Sequence, residues 1–133
     1  MTAAGRDERG FTLIELLIVI AIIGIIAGIA AAQLRTAPQK ARESVLKEDL
    51  YALRDTIDQY FADKGKYPET LDALVQDGYL RKVPIDPITG TADSWEVVHA
   101  EASDEDTEGA GGIIDVKSGA DGTALDGSRY VDW

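Results

Sequence analysis

The spacing of apolar and polar residues divides the chain into two stretches with different periods. From Leu16 to Ala32 no side chain carries a charge or a hydrogen-bonding group. With Phe11 to Glu15 in front and Gln33-Leu34 behind, the run is long enough to span a bilayer as a helix rising about 1.5 Å per residue. Further on, Leu46, Leu50, Leu53, Ile57, Tyr60 and Phe61 recur at steps of three and four. That pattern predicts an amphipathic helix with one buried stripe. The helix is expected to continue from the apolar run and to stop near Lys64, because Gly65 suits a C′ position and Pro68 follows. Pro38 lies inside it and predicts a bend or one lost backbone bond. Glu43 with Lys47 and Arg54 with Asp58 stand at i, i+4 spacing and are expected to pair on the polar face.

The remainder reads as small elements. Glu69 to Gln76 predicts a short helix with Leu71, Leu74 and Val75 inward, ended by Asp77-Gly78. Tyr79 to Pro87 is expected to be a rigid loop, since its two prolines and the residues before them are kept from helix. Trp95 to His99 and Ile113 to Lys117 are strand candidates. Ala100 to Gly112, with Glu101, Asp104, Glu105, Asp106 and Glu108, predicts a mobile acidic loop. Ser118 to Trp133 shows neither helix nor strand pattern. The expected fold is therefore α+β: a long N-terminal helix, half membrane-spanning and half amphipathic, packed on a small antiparallel sheet with a C-terminal loop. The organisation follows as a leader at 1–10, a transmembrane helix at 11–34 and a globular domain at 35–133, whose helix to residue 64 continues the transmembrane one.

Composition narrows the chemistry. The chain has no cysteine, so no disulfide can close the C-terminal loop. Residues 1–64 hold 8 Lys/Arg against 9 Asp/Glu, a net of −1, while residues 65–133 hold 5 against 15, a net of −10. An acidic C-terminal half argues against nucleic acid or anionic lipid as its partner. The one histidine, His99, lacks the surroundings of a catalytic base, and neither a glycine-rich phosphate loop nor a metal-binding histidine cluster is present. An enzyme is not expected.

Glu15 stands just inside the apolar run, where a carboxylate costs roughly 2.5–3.5 kcal/mol on insertion scales. No cation lies within the run to pair with it. Cleavage after Gly10 would free an amino group on Phe11, four residues before Glu15 and on the same helix face. A competing reading takes Arg6 and Arg9 as the start of an ordinary secretory signal cut after Ala30-Ala31-Ala32. The embedded charge and the length of the run count against it. Gly24 and Gly28 form a small-xxx-small pair, read either as ordinary membrane-helix glycine or as a surface for close helix packing. Flanking charge alone, with Arg35, Lys40, Arg42 and Lys47 after the run, does not favour an inside N-terminus. A long C-terminal domain, however, crosses largely regardless of charge.

Gly10, Phe11, Thr12, Leu13 and Glu15, followed by the apolar run, resemble the processing signal of type IV pilins and of the pseudopilins of type II secretion. The resemblance implies cleavage between Gly10 and Phe11 by a prepilin peptidase, N-methylation of Phe11, and assembly through Phe11 and Glu15. It also implies close helix packing at Gly24 and Gly28. Tyr67-Pro68, Leu74-Val75, Gly78-Tyr79-Leu80, Pro84 and Asp86-Pro87 resemble the major pseudopilin in particular. So do Ser118-Gly119, Asp121-Gly122, Asp126 and Trp133, which match a calcium-binding loop of that family. Asp-Gly pairs taken alone read as turns more often than as ligands. The match implies Ca²⁺ held by the Asp121 and Asp126 side chains, with the Val116 and Ser118 carbonyls as further donors. Two departures stand out: Gly127 follows Asp126 where a second acid is common, and Ile88 follows Pro87 in place of tryptophan.

The function implied is a structural subunit of a secretion pseudopilus, a homo-oligomeric helical filament. Minor pseudopilins, an inner-membrane assembly platform and the peptidase/methyltransferase would be its partners. It would sit in the inner membrane as a single pass with a cytoplasmic N-terminus, and then in a periplasmic filament. The alternative is a pilin of an adhesive, motility or DNA-uptake pilus.

Overall fold

A computed structural model of the chain describes residues 10–101 and 111–133. Most of the expected leader, with Arg6 and Arg9, and residues 102–110 of the expected acidic loop lie outside the described residues. The chain forms two units, one ending at Ala37 and the other running from Pro38 to Trp133.

Helix α1 runs without interruption from Leu13 to Lys64. Thr12 starts it: its hydroxyl accepts the Glu15 N–H at 3.3 Å, while Glu15 returns its carboxylate to the Thr12 N–H at 3.0 Å. This reciprocal pair is a capping box, which satisfies two donors that the first helical turn leaves free. Pro38 sits inside α1 without ending it, so the Leu34 carbonyl has no helical donor. At the other end Gly65 adopts a φ of +71°, open to glycine at no steric cost, and its N–H closes on the Phe61 carbonyl at 2.8 Å.

In the first unit the apolar side chains stand exposed along α1, and the helix is long and apolar enough to cross a membrane. In the second unit α1 has a buried stripe of Leu46, Leu50, Leu53, Ile57 and Tyr60. Each such side chain taken from water contributes about 1.5–3 kcal/mol. Phe61 departs from the expected stripe: it is 41 % exposed and stacks on Tyr67 with ring centroids 4.3 Å apart. Glu43 and Thr56 are buried on the helix in its stead.

Helix α2 covers Leu71–Gln76. It begins two residues later than the sequence predicts because Thr70 is extended and uses its side chain to cap the Ala73 N–H. Leu74 is fully buried, with Leu71 and Val75 half-buried. Strands β1 (Glu96–His99) and β2 (Ile113–Lys117) pair antiparallel, with Val97 opposite Val116. A bulge between Val98 and His99 sets His99 opposite Ile113. Trp95 leaves the predicted strand to enter the core, where its indole N–H donates to the Pro84 carbonyl at 2.8 Å. Trp95, Leu74, Ile113, Val116, Ala120, Ala124 and Tyr130 complete the core begun by α1.

Candidate functional site

Two regions carry the residues singled out from the sequence, one in each unit. In the first, Phe11 precedes α1 with its side chain 86 % exposed. The Glu15 carboxylate, which lacks a cation in its own segment, accepts the Thr12 N–H. The Thr-x-x-Glu spacing was visible in the sequence, yet the cap it forms was not part of the expectation. A Cβ added at Gly24 or Gly28 would meet nothing within 4 Å, so both glycines leave an open helix face. Gly28, Ala31, Ala32, Arg35 and Thr36 line a shallow groove of about 370 Å³.

The second region is the C-terminal segment and the face of α1 beneath it. The segment is more ordered than its composition predicts. The Ala124 N–H donates to the Ser128 carbonyl at 2.7 Å, Thr123 bridges to Arg129, and Tyr130–Asp132 form a 3-10 turn, here η1. Gly122 and Gly127 take φ values of +122° and +89° to make the reversals. Gly119 is required for another reason: a Cβ there would collide with the Ser94 carbonyl oxygen.

Three side chains of α1 fasten this segment, and in each case the partner differs from the predicted one. Glu43, only 8 % exposed, accepts the Tyr130 hydroxyl at 2.8 Å, the Leu125 N–H at 3.0 Å and the Gln39 amide at 3.0 Å. Lys47, expected to pair with Glu43, lies 4.5 Å from the centre of the Trp133 ring. Arg54, expected to pair with Asp58, donates from Nε to Asp115 at 2.7 Å. Its Nη2 donates to the Val116 carbonyl at 3.0 Å and the Trp133 main-chain oxygen at 2.9 Å. Helical spacing offers local pairs worth a few tenths of a kcal/mol, and tertiary partners that also satisfy buried oxygens outweigh them.

The four expected calcium donors lie in different surroundings. Val116 and Ser118 are buried at and just beyond the end of β2, whereas Asp121 and Asp126 are exposed in the loop that follows. Asp126 accepts the Ser128 hydroxyl at 2.6 Å and its N–H at 2.9 Å, and these bonds hold its carboxyl below the usual range. An ionised carboxylate suits a hard cation. The Ser118 hydroxyl donates to Asp86 at 2.6 Å, which leaves the Ser118 carbonyl as the oxygen to offer a metal. The Val116 carbonyl already accepts Arg54. Among the described residues no group of three His, Cys, Asp or Glu side chains forms a ready metal site, so the expected site relies on backbone oxygens.

Asp86, which the sequence places in the rigid loop and in the resemblance to the major pseudopilin, was not expected to make tertiary bonds. It is fully buried and satisfied by Ser118 and by the N–H groups of Ile88, at 2.8 Å, and Thr89, at 3.3 Å. It thus joins the proline loop to the start of the C-terminal segment. Burial, with Glu48 and Asp86 adding to it, pushes the nearby Asp49 carboxyl above its ordinary value.

A family profile described as the prokaryotic N-terminal methylation motif matches residues 5–31. The type II secretion system core protein G of Pseudomonas aeruginosa is 38% identical over 62% of this chain and 69% of its own length. That of Klebsiella michiganensis is 34% identical over 96% of this chain and 94% of its own. The chain belongs to the core protein G family of type II secretion systems. The core protein G of Escherichia coli is similar too, at 33% identity over 63% of this chain and 69% of its own. No solved structure matches the chain. Membership of the core protein G family makes it a type II secretion pseudopilin and does not favour an adhesive, motility or DNA-uptake pilin.

Proposed function

We propose that the chain is the filament-forming subunit of a secretion pseudopilus, and that its first unit does the assembling. In this reading, hydrolysis of the Gly10–Phe11 amide on the cytoplasmic side frees the Phe11 amino group, which is then methylated. Glu15 registers an incoming subunit against the N-terminus of a neighbour. The observation that carries this is the Thr12–Glu15 cap, which holds the carboxylate on the Thr12 N–H at the start of α1, one residue beyond the amino group that cleavage would free. The open faces at Gly24 and Gly28 support close packing of α1 against other copies. Minor pseudopilins, an inner-membrane assembly platform and the processing peptidase/methyltransferase are the partners this role requires. The orientation that follows is a cytoplasmic N-terminus with residues 35–133 in the periplasm. The chain is a substrate of processing and performs no catalysis itself.

Intact mass of the mature chain tests the processing: it should begin at Phe11 and be heavier by one methyl group, and a chain beginning at Gln33 would refute it. Glu15→Ala should still insert and be cleaved but assemble poorly; normal filaments from that variant would remove the role given to Glu15.

A Ca²⁺ ion in the C-terminal loop belongs to the same proposal, with Asp121, Asp126 and the Ser118 carbonyl as its donors and the Val116 carbonyl shared with Arg54. Bound there, it would neutralise two exposed carboxylates and restrain the turns at Gly122 and Gly127. Any ion that binds only the native fold raises the melting temperature by mass action. Calcium added to the chelated chain should therefore shift the melt upward, less so in Asp121→Ala. An unchanged melt would exclude the ion.

A further inference from the structure

We propose that Arg35, Lys40 and Arg42 form a basic collar on α1 that binds anionic phospholipid headgroups of the leaflet on the side of the globular domain. The proposal rests on the membrane-anchored reading of α1 given above. All three side chains are exposed. Among the described residues the ion pairs are Arg54 with Asp115 and Lys64 with Asp77, so none of the three is engaged in one. Glu43 is the one acid between Arg35 and Lys47, and its carboxylate is spent inward on Tyr130, the Leu125 N–H and Gln39. The contact that buries Glu43 thus leaves positive charge uncompensated just beyond the apolar run. Lysine and arginine beside a membrane helix are ordinarily in excess on its cytoplasmic side, so anchoring alone does not account for them here.

The placement of the cations favours lipid over the acidic half of a second copy. Lys40 and Arg42 stand two positions apart, about 200° around the helix, so one protein face cannot meet both. Headgroups surround a spanning helix on every side. Leu34 ends the apolar run, and Lys40 and Arg42 follow it in α1 by about 9 and 12 Å of helix. Helical side chains lean toward the N-terminus, which returns both charges toward the run. The polar layer outside the hydrocarbon is about 5–8 Å deep, and its field reaches about 8 Å further at physiological salt. Lys47 lies beyond the collar and is already over the Trp133 ring. The attraction adds cation by cation, about fivefold each near an anionic surface, and needs no fixed arrangement of the two units.

The test reconstitutes the full chain in phosphatidylcholine vesicles carrying a trace of spin-labelled lipid. The immobilised fraction of labelled phosphatidylglycerol, against labelled phosphatidylcholine, reads the preference of lipid at the protein surface. The wild type should favour phosphatidylglycerol several-fold, and salt near 1 M should weaken that preference. Arg35→Gln combined with Lys40→Gln and Arg42→Gln should lower it several-fold. Lys64→Gln with Lys66→Gln, at the far end of α1, should leave it unchanged. A triple variant with the wild-type preference would overturn the proposal, and so would an equal loss in the far-end variant. A wild type that floats with the vesicles yet prefers neither lipid would also overturn it, and would leave the cations to the acidic half of a second copy. Flotation after alkaline carbonate separates the two readings: a chain stripped from the vesicles would defeat the anchoring itself and the collar with it.

Discussion

Tyr130 donates its hydroxyl to the Glu43 carboxylate at 2.8 Å across 87 positions of sequence, and both side chains are buried. Glu43 therefore belongs to the interior of the second unit, where its charge is met by the Tyr130, Leu125 and Gln39 donors. A buried carboxylate is tolerable only while its hydrogen bonds are made.

Tyr130→Phe removes one of those donors and leaves the carboxylate in place. The expected cost is about 1–3 kcal/mol. Thermal unfolding should register it as a lower melting point, by roughly 4–8 °C per kcal/mol for a domain of this size. An unchanged melting point would mean that water replaces the hydroxyl freely and that the bond does not fasten the segment.

Alkaline pH should loosen the same contact. Burial, and then the bond to Glu43, pushes the Tyr130 phenol above its ordinary value, with the Gln39 bond opposing. The native chain thus holds this proton more tightly than the unfolded chain does. Its contribution to stability is full below about pH 10 and is lost as pH rises through the raised native value. Tyr60, raised chiefly by burial, and Tyr79, raised chiefly by its bond to Asp63, act in the same direction. Denaturant unfolding from pH 9 to 11 should show stability falling, with a shallower fall in Tyr130→Phe. Identical slopes for variant and wild type would contradict this.

Leu53→Ala and Phe61→Ala should separate the two sides of α1. Leu53 is fully buried, and its truncation is expected to cost about 2–5 kcal/mol in lost burial and cavity. Phe61 is half-exposed beside Tyr67, so its truncation should cost less despite the larger side chain. Equal destabilisation in urea would place Phe61 in the core after all.

Gly119→Ala should be among the more damaging small substitutions in the second unit. Its Cβ would meet the Ser94 carbonyl, a backbone atom that cannot rotate away, and overpacking of this kind costs about 1–3 kcal/mol. Gly127→Ala meets no neighbour and bears only the strain of a positive φ, about 1–2 kcal/mol. Both can be ranked by thermal melt, and a Gly119→Ala variant as stable as wild type would show that the Ser94 loop shifts to make room.

Local rules made much of this fold legible. Period and punctuation placed α1 and its end at Lys64, because the buried stripe and the Gly65 stop are properties of adjacent residues. They placed β2 over Ile113–Lys117 for the same reason. What they missed was tertiary pairing. Glu43 and Arg54 each had a helical neighbour of opposite charge, and nothing in the spacing shows that Tyr130 and Asp115 arrive from far along the chain to take their place. Phe61 fitted the stripe by number, but its ring finds Tyr67 at the end of the helix. Ser118–Trp133 shows neither helix nor strand pattern because its order comes from turns and side-chain bonds, which leave no period in a sequence. At the N-terminus the chemistry was legible in Glu15, while its immediate partner, the Thr12 N–H, belongs to the backbone and has no letter of its own.

The fastening of the last sixteen residues uses carboxylates, a phenol, a guanidinium and an ammonium over an indole, in a chain with no cysteine. Nothing in that set requires an oxidant to form or a reductant to undo. The closure of this segment is thus indifferent to the thiol balance around it, and a step in oxidative maturation cannot delay it.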